Sequence, residues 1–177
     1  MDIVILSHLR SEPAHGYELK RKVGRTTAYE LHNNTLYPAL RRFEEAGAVR
    51  KTAEQQEGRP PKHVYELTAV GHELLHDLIS EFPAELAGNE EEFLTRLGLF
   101  DDLTPAEQHD VLATRDQALS ARLAHLVELT DRAAGSPRHH TWGGRVVAEL
   151  RARAERERAW LVELDALVDS VPDHPKG

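Results

Sequence analysis

The stretch Asn33-Asn34-Thr35-Leu36-Tyr37-Pro38-Ala39-Leu40-Arg41-Arg42-Phe43-Glu44-Glu45 decides how the chain is read. Leu36, Leu40, Phe43 and Gly47 recur at intervals of three and four, the spacing of a helix face turned inward. Thr35, Tyr37, Arg41 and Arg42 fall on the remaining surface. Hydroxyls and guanidinium groups side by side reach phosphates and base edges, so this surface suits a nucleic-acid groove. Asn33 or Asn34 is placed to cap the helix by accepting a backbone N–H bond. Pro38 fits in or near the first turn, where few helical bonds are lost. Gly47 stops the helix.

Toward the N-terminus, Ile3 to Leu9 reads as a buried helix with Asp2 in its first turn, stopped by Ser11-Glu12-Pro13. His15 to Val23 reads as a second helix with Leu19 and Val23 inward, Tyr17 partly exposed and Lys20, Arg21 and Lys22 outward. Gly24 closes it, and residues 25–32 form a linker in which Tyr29 and Leu31 pack. Beyond Gly47, Ala48–Ala53 and Lys62–Leu67 read as short strands. The polar, turn-forming run from Glu54 to Pro61 joins them into a β-hairpin. A hairpin directly after a helix-turn-helix is a wing. Thr68 then caps a helix over 69–82 with Leu74, Leu75, Leu78 and Ile79 inward, ended by Pro83.

Several motifs within these elements resemble one family: His15-Gly16-Tyr17-Glu18-Leu19, Thr35-Leu36-Tyr37-Pro38-Ala39-Leu40, Glu44-Glu45-Ala46-Gly47, Gly58-Arg59-Pro60-Pro61-Lys62 and Tyr65-Glu66-Leu67-Thr68-Ala69-Val70-Gly71. In this order and register they resemble the PadR family of bacterial transcriptional regulators, over about the first 82 residues. The resemblance implies an N-terminal winged helix-turn-helix and a variable C-terminal helical dimerisation domain. It also implies a repressor released by a small molecule, often a phenolic acid or a drug. The chain departs from the family at His32-Asn33-Asn34, near the bases, so no operator sequence carries over.

Past Asn89 the pattern is helical throughout. Glu90 to Asp102 carries Phe93, Leu94, Leu97 and Phe100 on one side, and Thr104-Pro105 is an N-cap followed by Pro at the first helical position. The next helix carries Leu112, Leu119, Leu123, Leu126 and Thr130. Gly135-Ser136-Pro137 interrupts, and the last helix carries a heptad-like stripe broken at Glu157. The expectation is that one stripe packs within the chain and the other pairs with a second subunit through Val147, Leu150, Leu161, Leu164 and Val168. The fold class is therefore mostly α with a small β-hairpin: a winged helix-turn-helix DNA-binding domain at residues 1–85, and a helical dimerisation and possible effector domain at 89–177.

A formal charge of −8 on 177 residues looks wrong for a DNA binder. The charge is unevenly distributed, however. Between Lys20 and Lys62 ten basic side chains face five acidic ones, and the acidic excess lies mainly after that stretch. A local basic patch holds a polyanion even on an acidic molecule. There is no long apolar run and no basic-then-apolar leader, so neither a membrane span nor a secretory signal is expected. The absence of cysteine excludes disulfides and thiolate metal sites and fits a cytoplasmic, nucleoid-associated protein.

The expected DNA-binding residues are Asn34, Thr35, Tyr37 and Arg41 on the recognition helix, Tyr17 and Lys20 on the helix before it, and Arg59, Lys62 and His63 on the wing. The expected partner is double-stranded DNA carrying an inverted repeat, read by a homodimer. Trp142 and Trp160, eighteen residues and five helical turns apart, share a face if the last helix is continuous. With His139, His140 and the hollow that Gly143 and Gly144 would leave, they could receive an aromatic or phenolic effector. The plainer readings are packing tryptophans and an outward-pointing histidine pair. His72-Glu73-Leu74-Leu75-His76 matches the zinc-peptidase pattern H-E-x-x-H. Ile79 and Phe82 stand where an extended metzincin form needs Gly and His, and the helix belongs to the winged-domain pattern. No catalytic residue, metal or cofactor is expected. The alternative from another class is a winged-helix protein–protein adaptor, against which the basic surplus argues.

Overall fold

The computed structural model describes residues 1–27, 32–56, 59–134 and 141–170; the described side chains exclude those at 26–27, 56, 59–61, 132–134 and 141. The chain forms two compact units, Met1–Ile79 and Ser80–Gly177. Unit 1 runs α1 (Asp2–Ser11), β1 (Ala14–His15), α2 (Gly16–Thr27), α3 (Asn33–Glu45), β2 (Val49–Gln56), β3 (Arg59–Leu67) and α4 (Ala69–Ser80). Unit 2 carries α5 (Glu90–Leu97), a 3-10 turn (Phe100–Asp102), α6 (Pro105–Ala134) and α7 (Thr141–Ser170). Unit 1 is a winged helix: α2 and α3 form the helix-turn-helix, and the β2–β3 hairpin is the wing.

The α3 helix spans the quoted stretch. Leu36, Ala39, Leu40 and Phe43 are buried, joining Ile5, Leu6 and Leu9 of α1 and Leu19 and Val23 of α2 in the core. Burying a side chain of the Leu or Phe kind is worth about 1.5–3 kcal/mol, so this one stripe anchors the helix. Two sequence expectations at its start are corrected. The N-cap is His32, and no side chain caps it, so neither Asn33 nor Asn34 has that role. Counted from His32, Pro38 lies in the second turn and forgoes the bond to the Asn34 carbonyl. At its end the chain closes in a Schellman motif: Ala48 N–H donates to the Phe43 carbonyl (2.8 Å) and Gly47 N–H to that of Glu44 (3.0 Å). Gly47 has φ +72° and open space where a Cβ would stand, so its backbone angle, not crowding, calls for glycine.

Other boundaries move too. The α2 helix continues through Gly24 to Thr27; an isolated glycine costs a helix only about 1 kcal/mol, which packing of Leu19 and Val23 overrides. Tyr29 and Leu31 lie outside the described residues. The strands are longer than expected, Val49–Gln56 and Arg59–Leu67, because backbone pairing extends into the polar segment. A third strand, β1, pairs Ala14 with Tyr65 and His15 with Val64, giving the antiparallel order β1-β3-β2. Two residues carry too little pattern to be read as a strand. Thr68 Oγ1 accepts from Gly71 N–H at 3.1 Å, the expected cap on α4.

In unit 2, Thr104 and Glu107 form a capping box at the start of α6: Glu107 accepts from Thr104 N–H at 2.7 Å, and Thr104 Oγ1 accepts from Glu107 N–H at 3.4 Å. Helices α6 and α7 pack as an antiparallel hairpin, each 30 residues and so about 45 Å long. Buried Leu112, Leu119 and Leu126 recur every seven residues on α6, and Ala154, Leu161 and Val168 do so on α7. Three polar bridges set the register. Arg115 meets Glu157 through two bonds (2.7 and 2.9 Å), Arg158 meets Asp116 (2.6 and 3.0 Å), and His109 lies between Asp165 (2.6 Å) and Asp169 (3.2 Å). The hydrogen bond to Asp165, more than any other contact, raises the His109 pKa above its ordinary value. Glu157, which breaks the apolar stripe in sequence, is the partner of Arg115, 1% exposed and bonded also to the Ala87 carbonyl at 2.6 Å.

That register bears on the five residues expected at a subunit interface, two of which it buries within the chain. Leu161 (3% exposed) and Val168 (8%) are spent inside the chain's own hairpin, and Val147, Leu150 and Leu164 are half-buried. Within the hairpin the buried parts of the two stripes face each other. What stays outward on α7 is Trp142, Val146, Trp160, Val162 and Leu167. Val171 lies outside the described residues.

The fold makes a sharp prediction at Gly71. A Cβ there would stand 2.1 Å from the Ala48 carbonyl oxygen, a backbone atom that cannot swing away. Gly71→Ala is expected to destabilise unit 1 by roughly 1–3 kcal/mol or more, read as a lower denaturation midpoint with an unchanged m value.

Candidate nucleic-acid interface

Helix geometry puts Asn34, Tyr37 and Arg41 on one outward face of α3, since they follow three-four spacing. All three are exposed, as is Thr35 on the flank that carries Arg42. Arg42 is turned away from that face: its guanidinium donates to Asp2 of α1 at 2.5 Å and lies over the Phe43 ring. The basic surplus of the sequence is thus partly used internally. Lys22 pairs with Glu12, and Arg50 with Glu66 at 2.6 Å. Arg41 and Lys62 have no hydrogen-bond or ion-pair partner among the described residues and are exposed; Lys20 likewise has none and is half-buried.

A cleft of about 380 Å³ opens where α2, α3 and β3 meet. It brings together Tyr17, Tyr37, Lys62 and His63, which the sequence had nominated separately, and adds His15 and Tyr65. Tyr17 is 69% exposed and carries the Arg21 guanidinium over its ring at 5.8 Å; Tyr37 is 43% exposed. Burial, and then Tyr37 and Glu44 nearby, push the Tyr65 phenol above its usual pKa, so it stays a hydroxyl donor. Phenol hydroxyls, an ammonium and imidazoles around one opening form a donor-rich lining that suits an anionic oxygen. Glu18 also lines the cleft, its carboxylate accepting the His15 backbone N–H at 3.3 Å.

Besides Tyr65, His15 and Gly16 of this site escaped the sequence reading. His15 bridges helix and wing: Nδ1 lies 3.2 Å from the His63 carbonyl, and Nε2 3.4 Å from Glu54. Gly16 seats Tyr37, for a Cβ there would stand 2.9 Å from its ring. The signal for both was the His15-Gly16-Tyr17 motif, whose contacts with α3 and the wing are long-range. Arg59 pairs its backbone with Gln56 at the end of the hairpin, but its side chain lies outside those described.

A winged helix with this recognition face is the region that the family described as "Transcriptional regulator PadR-like family" matches, over residues 5–77. The chain carries the PadR-like domain of transcriptional regulators. That family is one of regulators rather than enzymes. Among solved structures, the chain is similar to Bacillus subtilis PadR in complex with operator DNA, at 20% identity over 94% of this chain and 98% of that one, TM-score 0.42. It is similar to the same protein in complex with p-coumaric acid, at 19% identity over 95% and 94%, TM-score 0.41. A PadR family regulator from Eggerthella lenta DSM 2243 is 33% identical over 43% of this chain and 65% of that one, TM-score 0.39. No match was found among curated proteins.

The other sequence candidates fare differently. Trp142 is 78% exposed, and a Cβ on Gly143 or Gly144 would meet nothing within 4 Å among the described residues. His139 and His140 lie outside the described residues. Helix α7 is continuous from Thr141 to Ser170, so Trp142 and Trp160 do share a face, as expected of an unbroken helix. Trp160 is 37% exposed and packs edge-on against Phe93 at 6.2 Å. His72 and His76 lie on α4, and no group of three or more His, Cys, Asp or Glu among the described residues is placed to hold a metal. Nor, among those residues, is any helix long and apolar enough to cross a membrane.

The Gly16–Tyr37 contact separates recognition from folding. The clash in Gly16→Ala is with the far end of a side chain that can swing outward, so stability should change by less than about 1 kcal/mol. The displaced Tyr37 should weaken DNA binding at least severalfold in a gel shift, while the thermal unfolding curve stays close to wild type.

Proposed function

We propose that the chain is a homodimeric repressor that binds an inverted-repeat operator in the cytoplasm, on nucleoid DNA, and is released by a small ligand held in unit 2. The observation that carries the reading is the convergence of Tyr17, Tyr37, Lys62 and His63 on one cleft, with Arg41, exposed and without a partner among the described residues, one helical turn from Tyr37. Tyr37, Arg41, Asn34 and Thr35 enter the major groove, where guanidinium and hydroxyl groups read base edges. Tyr17, Lys20 and Lys62 hold phosphates. His63 and Arg59 take the wing to the minor groove, where a cation is favoured by the narrow-groove potential.

A dimer supplies the second recognition helix of a two-fold operator. Its support here is the apolar surface left on α7, where Trp142, Val146, Val162 and Leu167 stay exposed. A ligand releases such a dimer only by binding the DNA-free geometry more tightly than the DNA-bound one.

A gel shift on the gene's own promoter region tests the core of the reading. Arg41→Ala should cost roughly 1–3 kcal/mol and relax sequence preference. Lys62→Ala should weaken all sequences alike and lower the salt slope by about one. Failure of the wild-type chain to shift any promoter fragment at low salt would leave it an adaptor that binds protein instead. For the dimer, sedimentation should show two subunits at micromolar concentration, and Val146→Glu should raise the dissociation constant at least about tenfold, the cost of burying one unpaired carboxylate. A wild-type chain that sediments as a single subunit at that concentration would remove the two-fold operator.

A further inference from the structure

We propose that unit 2 holds a binding site for a planar anion, in the cavity between α5, α6 and α7 where Trp160 meets Arg122, Arg153 and Arg156. The cavity encloses about 500 Å³, within the roughly 300–1,000 Å³ of pockets that enclose small organic ligands. Part of its wall is apolar, from Leu119, Leu150 and Ala154, with the indole of Trp160 beside them. Phe93, fully buried, packs edge-on against that indole with the planes 84° apart. Phe93 thus braces an indole that also lines the cavity.

The charges around this wall do not cancel. Arg115 and Glu157 neutralise each other through their paired bonds. Arg153 and Arg156 share a single carboxylate, Glu149, at 2.8 and 3.4 Å. Arg122 has no partner among the described residues. Glu90 is the one other acid that lines the cavity, so guanidinium remains in excess. A guanidinium binds carboxylate, sulfonate or phosphate oxygens through paired, charge-assisted bonds, and an indole binds a flat ring. One small excess of positive charge matches one anionic group, and the volume admits a body of two or more rings.

This site is not the one that the sequence suggested around Trp142, His139 and His140. It deepens the effector reading by fixing where a ligand sits, and it rests on that reading only for any consequence at the operator. The experiment keeps the two apart. In full-length Trp142→Phe, Trp160 is the one remaining indole. Titration of this variant with 2-naphthoate should give saturable quenching in the micromolar range, and neutral 2-naphthylmethanol should bind at least about tenfold more weakly. Adding Arg122→Gln, at an exposed position without a partner among the described residues, should weaken naphthoate about threefold to tenfold, leave naphthylmethanol unchanged and leave the unfolding curve unchanged. No saturable quenching at millimolar naphthoate, equal affinity for the two compounds, or an Arg122→Gln variant that binds naphthoate like its parent would each overturn the site. Naphthoate that binds with the stated charge preference yet leaves operator affinity untouched would uphold the site and remove the effector role proposed above.

Discussion

The Ala48 carbonyl is the point on which the winged unit depends. It accepts the Thr68 backbone N–H at 3.1 Å and the Thr68 hydroxyl at 3.1 Å, and Gly71 of α4 crosses it with no room for a Cβ. The Ala48 N–H is itself engaged, closing the end of α3 on the Phe43 carbonyl. One residue thus ties the recognition helix to the first wing strand, to the turn after the second and to α4. Because both of its polar groups are satisfied and its surroundings are full, the angle between helix and wing has little freedom. Tyr37 and Lys62 share a cleft because that angle is held.

The candidate interface divides its cations between two uses. Arg42, Arg50 and Lys22 serve the fold: each is paired with a carboxylate elsewhere in unit 1, in exposed pairs that solvent screens. Arg41 and Lys62 are left without such partners among the described residues. A cation free in the unbound protein loses no ion pair when it meets a phosphate, so its full attraction is available to the polyanion. Net charge is silent on this division, since it weighs both kinds equally.

The hairpin of unit 2 follows a different logic. Its apolar layers are thin, so three polar bridges set the register of two long helices. The buried Arg115 is the most constrained of these, with bonds to Glu157 and Ala87 and its guanidinium over the Phe93 ring. A buried ion pair adds little net stability over a well-packed apolar one, but it penalises any register that leaves either charge alone. Register in turn decides which apolar residues face outward, and that is where the dimerisation residues named from sequence differ from those the fold exposes.

The amino-acid sequence by itself determined the elements whose signals are local. The inward stripe of α3, the glycine that ends it, the threonine caps of α4 and α6 and the winged order of helices and strands are written in spacing and residue type. The tyrosines and basic residues of the candidate interface could be named on the same basis. Tertiary structure alone decided what depends on distant partners. The two-residue strand β1 exists because β3 offers it an edge, and Gly24 stays helical because Leu19 and Val23 of the same helix are held in the core. The buried parts of the α6 and α7 stripes face each other because Arg115 and Glu157, 42 residues apart, align them. Periodicity tells which residues share a face of one helix; it holds no information about which other face lies opposite, and that is set by packing and charge across the chain.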